Sequence, residues 1–287
     1  MTEPITRTSR GTILAITSGK GGVGKTNVAI NLAVSLSRLG HRVGVIDADF
    51  GLGNVDVLLG MAPEYHLGHF LSGEKTLEEV MVTGPHGLKI IPAGSGIRAL
   101  TQLGRQQWRK FETVVKRISA DLDFLIIDTG AGISDNVVEL LLMAERVMVV
   151  TSFDPAAIVD AYAVIKILTQ NAPKKEIGVI VNATRSAEEA HSVFRQLDVA
   201  AGKFLKRTLR FFGHVLYDPA VREAVLAQKL VVDYQPQAPA SRCFRILASR
   251  LAGIAPHGGA GLRVVARTSV PAPRPTPVVV QETMRCA

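Results

Sequence analysis

Short apolar runs recur along the chain and alternate with longer stretches in which apolar residues return every three or four positions. TILAITS, from Thr12 to Ser18, reads as a buried strand. It runs directly into GKGGVGKT, after which NVAINLAVSLSRLG places Leu32, Leu36 and Leu39 at helical spacing. Gly40 stands where a helix C-cap belongs, before a next strand over Arg42 to Ile46. The order strand, glycine-rich loop, helix, strand makes a βαβ unit. Further strands are predicted at Leu88 to Ile91, Phe124 to Ile127, Arg146 to Val150, Ile177 to Val181 and Leu209 to Leu216. Helices are predicted over Gln107 to Ser119, Asp135 to Met143, Pro155 to Gln170, Ala187 to Phe204, Ala220 to Gln228 and Pro239 to Leu251. This rhythm predicts one α/β domain: a doubly wound, mainly parallel sheet with helices on both faces.

Residues 1–10 read as a short arm, 11–254 as the domain, and 255–287 as a Pro- and Gly-rich tail without sustained periodicity, expected to be disordered. At 287 residues and 47% hydrophobic content the chain can fill one large core, and its 5% aromatic content suits Val, Ile and Leu strands covered by helices. No apolar run approaches the roughly 20 residues of a spanning helix, and MTEPITRTSRG has no signal-peptide core, so a cytoplasmic location is expected. Cys243 and Cys286 are far apart and no CxxC occurs, which argues against a disulfide framework, a zinc ribbon or a protein-borne iron–sulfur site. The net charge is +8, of which the stretch after residue 260 supplies +3; the rest is spread along the sequence and is weak evidence for a nucleic-acid partner.

Gly19-Lys20-Gly21-Gly22-Val23-Gly24-Lys25-Thr26 fits the phosphate-loop pattern GxxxxGK[ST], after a predicted strand and at the start of a predicted helix. The glycines let successive N–H groups turn toward phosphate oxygens and the helix N-terminus adds its positive end. Lys25 neutralises the outer phosphates, and the Thr26 hydroxyl is placed to ligate Mg²⁺. With Asn27 this stretch is the candidate nucleotide-binding loop, and ATP with Mg²⁺ is the expected cofactor pair.

Hydrolysis also needs carboxylates at the ends of neighbouring strands. VIDADFGL delivers Asp47 and Asp49, and FLIIDTGAG delivers Asp128 in the form of a Walker B element. Any one of these could equally be a turn former or helix N-cap.

The second lysine, Lys20, makes GKGGVGKT a deviant phosphate loop, and on this motif the chain resembles the MinD/ParA family of dimerising ATPases. The resemblance implies that Lys20 reaches the partner subunit's phosphates in an ATP-bound homodimer, making Lys20, Lys25 and Asp49 the catalytic set. By the same resemblance Asp49 orients the attacking water, Asp47 supports the hydration shell of the metal and Asp128 holds it through water. Asn182, ending IGVIVNATR, and Asp218, in Tyr217-Asp218-Pro219, fall where family members contact adenine, although a turn-forming Asn or Asp would look the same.

Longer stretches, DADFGLGNVDVLLGMAPEYHLGHFLSGEKTLEEV and LIIDTGAGISDNVVELLLMAERVMVVTSFDPAAIVDAYAVIKIL, are similar to the FlhG/FleN (YlxH-type) regulators of flagellar number, over roughly Thr12 to Gly253. That similarity implies a restrained flagellar partner: the GTPase FlhF, a switch component or a FleQ-type transcriptional activator. The arm lacks the DQAxxLR segment of relatives that stimulate FlhF, so that stimulation does not carry over. SRCFRILASRL, from Ser241 to Leu251, is basic and amphipathic; it is expected to pack on the domain, with a peripheral membrane contact as the alternative. DNA is not expected as a primary partner, which sets this reading apart from a partition ATPase; a division-site regulator is the other alternative. Asp135 to Met143 and Pro155 to Gln170 are the candidate partner-binding helices.

Overall fold

The computed structural model describes residues 11–51, 53–94 and 104–254. The chain divides into two compact units, Met1–Ala255 and Pro256–Ala287, and every described residue belongs to the first. The predicted arm and tail lie outside the described residues.

Eight strands form one sheet: β1 (Thr12–Ser18), β2 (Val43–Ala48), β3 (Val82–Thr83), β4 (Lys89–Ile91), β5 (Phe124–Ala131), β6 (Arg146–Thr151), β7 (Glu176–Thr184) and β8 (Arg210–Leu216). Their order is β3-β4-β2-β5-β1-β6-β7-β8, parallel throughout except for the short β3, which runs antiparallel to β4 at the edge. The expected doubly wound α/β architecture is therefore present. β1 lies between β5 and β6, so crossovers leave it in both directions and open a crevice at its C-terminal end, where the glycine-rich loop begins.

Alternation along β1 divides the core. Ile13 and Ala15 point into one apolar layer, beneath α5 (Arg105–Ala120), α6 (Asp135–Met143), α7 (Pro155–Asn171) and α8 (Ala187–Ala200). Leu14 and Ile16 point into the other, beneath α1 (Lys25–Arg38), α9 (Pro219–Leu226), α10 (Val231–Tyr234) and α11 (Pro239–Leu251). The second layer explains why α1 is buried all round from Val28 to Leu36, since it lies between the sheet and α11. Gly40, at φ +88°, ends its turn as predicted, with its N–H donating to Ser37 O.

Several elements differ from the sequence reading. β2 extends through Ala48, which places Asp47 inside the strand and not after it. The predicted helix to Phe204 stops at Ala200, followed by a π turn over Ala201–Leu205 that closes at Lys206 with φ +54°. The short helices α2 (Val55–Leu58), α3 (Leu67–Ser72), α4 (Leu77–Val80) and α10 were not predicted, because four to six residues carry too few turns to show a period. For α4 one signal was available: Thr76 and Glu79 form a capping box.

The Ser241 to Leu251 segment packs on the domain, as expected, which leaves the membrane alternative without its apolar surface. α11 turns Phe244, Leu247 and Leu251 into the core layer it shares with α1, so the apolar face that would have entered lipid is already buried. Among the described residues no helix is long and apolar enough to cross a membrane.

Candidate nucleotide site

The loop between β1 and α1 takes the shape its glycines allow. Gly22 and Gly24 sit at φ +81° and +86°, a region that side chains other than Gly disfavour. α1 starts at Lys25 with no side chain capping it, so its first N–H groups are left for an anion. Gly19 serves differently: a Cβ there would lie 2.1 Å from the backbone carbon of Asp160, so the first glycine lets the loop lie directly on α7.

A cleft of about 870 Å³ opens over this loop, lined by Gly21, Gly22, Gly24, Lys25, Thr26 and Asn27 with Asp49 opposite. A second cavity of about 310 Å³ shares Asn27 and Val225 with it and is lined by Asn182, Tyr217, Asp218 and Arg222. The space over the phosphate loop and the smaller cavity thus adjoin across these two residues.

Beneath the loop, Lys25 Nζ donates to Asp128 Oδ1 at 2.8 Å, and both side chains are buried. Burial pushes the Asp128 carboxyl up, against the opposing pull of Lys25. Its second oxygen is buried with no hydrogen-bond partner, a cost that invites a cation or a water from the cleft. With the Thr26 hydroxyl this forms a hard-oxygen donor pair, which fits Mg²⁺.

Asp47 is placed otherwise than the sequence suggested. Its Oδ1 accepts from Asp49 N at 3.1 Å, and its Oδ2 accepts from Asn54 N at 3.0 Å and Val55 N at 3.1 Å. The side chain holds both ends of the loop that carries Asp49, and a role at the metal's hydration shell would be additional to this one.

Burial also pushes Asp47 up to about 7, with the Asp128 charge adding to the effect against its backbone donors. Between about pH 4, where the unfolded carboxyl titrates, and about pH 7, the native state holds a proton that the unfolded chain has released. Nucleotide-free protein is therefore expected to lose stability as pH rises through that window. In Asp47→Asn this contribution should vanish, and calorimetric melts from pH 5 to pH 8 that run parallel in the two proteins would contradict it.

Lys20 stands at the rim, its ammonium 2.6 Å from Asp154 Oδ2, and this pairing raises the lysine and lowers the carboxyl. Asp154 also caps α7, accepting from Ala156 N. The sequence reading missed it, although Asp-Pro before a helical period is a start signal. Asn182 donates from Nδ2 to Val23 O at 2.7 Å, bracing the phosphate loop from β7. Asp218 accepts from Ala220 N and from Ala240 N, so its carboxylate joins the starts of α9 and α11 at the edge of the smaller cavity.

The ParA family model, described as "NUBPL iron-transfer P-loop NTPase", matches residues 10–252. The chain belongs to the ParA/MinD family of P-loop NTPases. It is 40% identical to the antiactivator FleN of Pseudomonas aeruginosa over 239 residues, which cover 83% of this chain and 85% of that one. It is 36% identical to the flagellum site-determining protein YlxH of Helicobacter pylori, over 78% and 76% of the two chains. Among solved structures, MinD of Pyrococcus horikoshii in complex with Mg-ADP superposes with TM-score 0.72 at 26% identity, covering 84% of this chain and 96% of that one. The described geometry is that of a ParA/MinD-type ATPase of the FleN and YlxH kind. The iron in the family description has no counterpart in the sequence motifs, which lack a CxxC.

Proposed function

We propose that the protein is an ATP-dependent, dimerising switch that hydrolyses ATP slowly and limits flagellar number or placement by restraining a transcriptional activator or assembly factor. The flagellar part rests on the 36% identity to the flagellum site-determining protein YlxH over 78% of the chain, and the restraint of an activator on the identity to the antiactivator FleN over five-sixths of it. The switch part rests on Lys20 at the rim of the cleft. ATP can shift a partner equilibrium only if the ATP-bound form presents a surface that the other form lacks, and a dimer closed over two nucleotides does so.

In this reading Lys25 and the loop N–H groups hold the phosphates, Thr26 and Asp128 hold Mg²⁺, Asp47 fixes the loop of Asp49, and Asp49 orients the attacking water. Mg²⁺ supplies charge neutralisation at the phosphates when bound. The base lies in the smaller cavity against Asn182 and the Tyr217-Asp218 corner. Lys20 leaves Asp154 and crosses to the partner's phosphates.

Asp49→Ala is the test. Light scattering should show a monomer with ADP and a dimer with ATP and Mg²⁺, and turnover should fall about 100-fold with nucleotide affinity retained. A sample that stays monomeric in saturating ATP rules out the trans-lysine arrangement. Asp154→Asn keeps a helix-capping side chain while removing the charge that holds Lys20. It should lower the ATP concentration needed for dimerisation a few-fold, as expected for an exposed pair; an unchanged midpoint counts against release of Lys20 as a step. For the biological output, deletion should give extra or displaced flagella, counted by electron microscopy, and normal flagellation with defective division or chromosome partition would overturn the flagellar assignment.

A further inference from the structure

α5 carries a local concentration of positive charge on its exposed side. RQQWRKFETVVKRISA carries five cations and one acid, and Arg105, Arg109, Lys110, Lys116 and Arg117 all face outward. The first turn has no acid and opens on Arg105, against the preference of a helix N-terminus. A helix serving only to cover the core gains nothing from that arrangement.

Beside these cations lies a recess of about 290 Å³ between α5 and the α3–α4 segment. Phe70, Leu77 and Val114 form its apolar lining, and Arg109, Lys110 and Arg117 its rim. Arg117 pairs with Glu78 at 2.6 Å and Lys110 donates to Leu71 O, whereas Arg109 has no acidic partner among the described residues.

The inner side of the same helix reaches the catalytic loop. Phe50, the residue after Asp49, packs edge-on against Trp108 and Phe111 at centroid distances of 6.4 and 6.1 Å. A shift of α5 therefore moves the seat of Phe50 and, with it, the backbone that carries Asp49.

We infer that the outer face of α5 is a docking surface for an acidic segment of a partner protein, one that places an apolar side chain in the recess and acts on Asp49 through Trp108, Phe111 and Phe50. Charge complementarity calls for an acidic occupant, and the recess decides among acidic ones. A nucleic-acid backbone offers phosphates but nothing apolar for the slot. An anionic bilayer needs apolar side chains that protrude, while Leu77 and Val114 are only 5% and 3% exposed. An acidic amphipathic segment meets both the rim and the slot. The effect on turnover rests on the ATPase reading; the binding does not.

The experiment uses the full chain without nucleotide and a short fluorescein-labelled helical peptide with one Glu face and one Leu face. Anisotropy should show saturable binding that weakens at least about tenfold in Arg109→Glu/Lys110→Glu and for a peptide with Ala in place of Leu. Binding should also change the emission of Trp108, the only tryptophan. Both substituted side chains are exposed, so the variant should keep the wild-type melt and basal turnover. No peptide binding, binding indifferent to the double variant, or tighter binding of short duplex DNA or phosphatidylglycerol vesicles through these residues overturns the inference. A wild-type protein without ATPase activity would instead count against the proposed function and leave the peptide titration intact.

Discussion

Lys25→Ala should abolish measurable ATP binding and also destabilise the nucleotide-free protein. The first effect follows from the phosphate loop, whose one buried cation is lost. The second follows from its partner. Asp128 sits at 0% exposure with Lys25 at 2.8 Å and its other oxygen unpaired, so removal of the lysine leaves a carboxylate with no compensating charge. Breaking a buried pair in this way costs about 3–5 kcal/mol. Asp128 can escape part of the cost by protonating, so the loss should be larger at pH 8.5 than at pH 6. Adding Asp128→Asn should restore much of the stability while binding stays lost, and thermal melts with titration calorimetry on the two single variants and the double one separate the effects. If Lys25→Ala melts with the wild type at both pH values, the buried pair does not contribute as described.

Gly19→Ala should be nearly as damaging for a purely steric reason. Its Cβ would lie 2.1 and 2.2 Å from the carbonyl carbon and oxygen of Asp160 and 2.7 Å from Ala161 N, all backbone atoms of α7 with no flexible side chain to yield. Overpacking ordinarily costs about 1–3 kcal/mol, and a clash with helix backbone belongs at or beyond the upper end. The loop must lift from α7, and phosphate contacts misplaced by that movement should weaken ATP binding at least about 100-fold. Gly21→Ala is the control, because a Cβ there meets nothing within 4 Å and the residue's backbone is not left-handed. Its nucleotide-free melt should match the wild type, while Gly19→Ala melts lower. Equal melts for the two variants would show that α7 does not hold the loop.

The fold was legible wherever an element was long enough to display its period. α5, α6, α7 and α11 fall within two residues of their expected bounds, since each buries one face over two turns or more. The stretch from Val55 to Val80 was not read, because α3 and α4 are set by packing of Leu67, Leu71 and Leu77 against the α5 side of the core, and α2 by Val55 in the layer under α1, not by local pattern. The phosphate loop was legible for the opposite reason: its chemistry is carried by consecutive backbone N–H groups and two adjacent side chains.

By itself, then, the sequence determined the α/β class, the phosphate loop with its extra lysine, and the three acids that follow apolar runs, all features specified by neighbours along the chain. Only the tertiary structure decided what those acids touch. β2 running one residue past Asp47 turns that carboxylate onto the backbone of its own loop, and the approach of β5 beneath α1 pairs Asp128 with Lys25. The start of α7 beside the loop gives Lys20 a resting partner in Asp154, 134 residues away. α11, equally amphipathic whether it meets lipid or protein, turned its apolar face to α1 because an unfilled core layer lay there. Contacts of this kind depend on where distant elements come to rest, and burial of the whole apolar surface settles that, so no local stretch of residues encodes it.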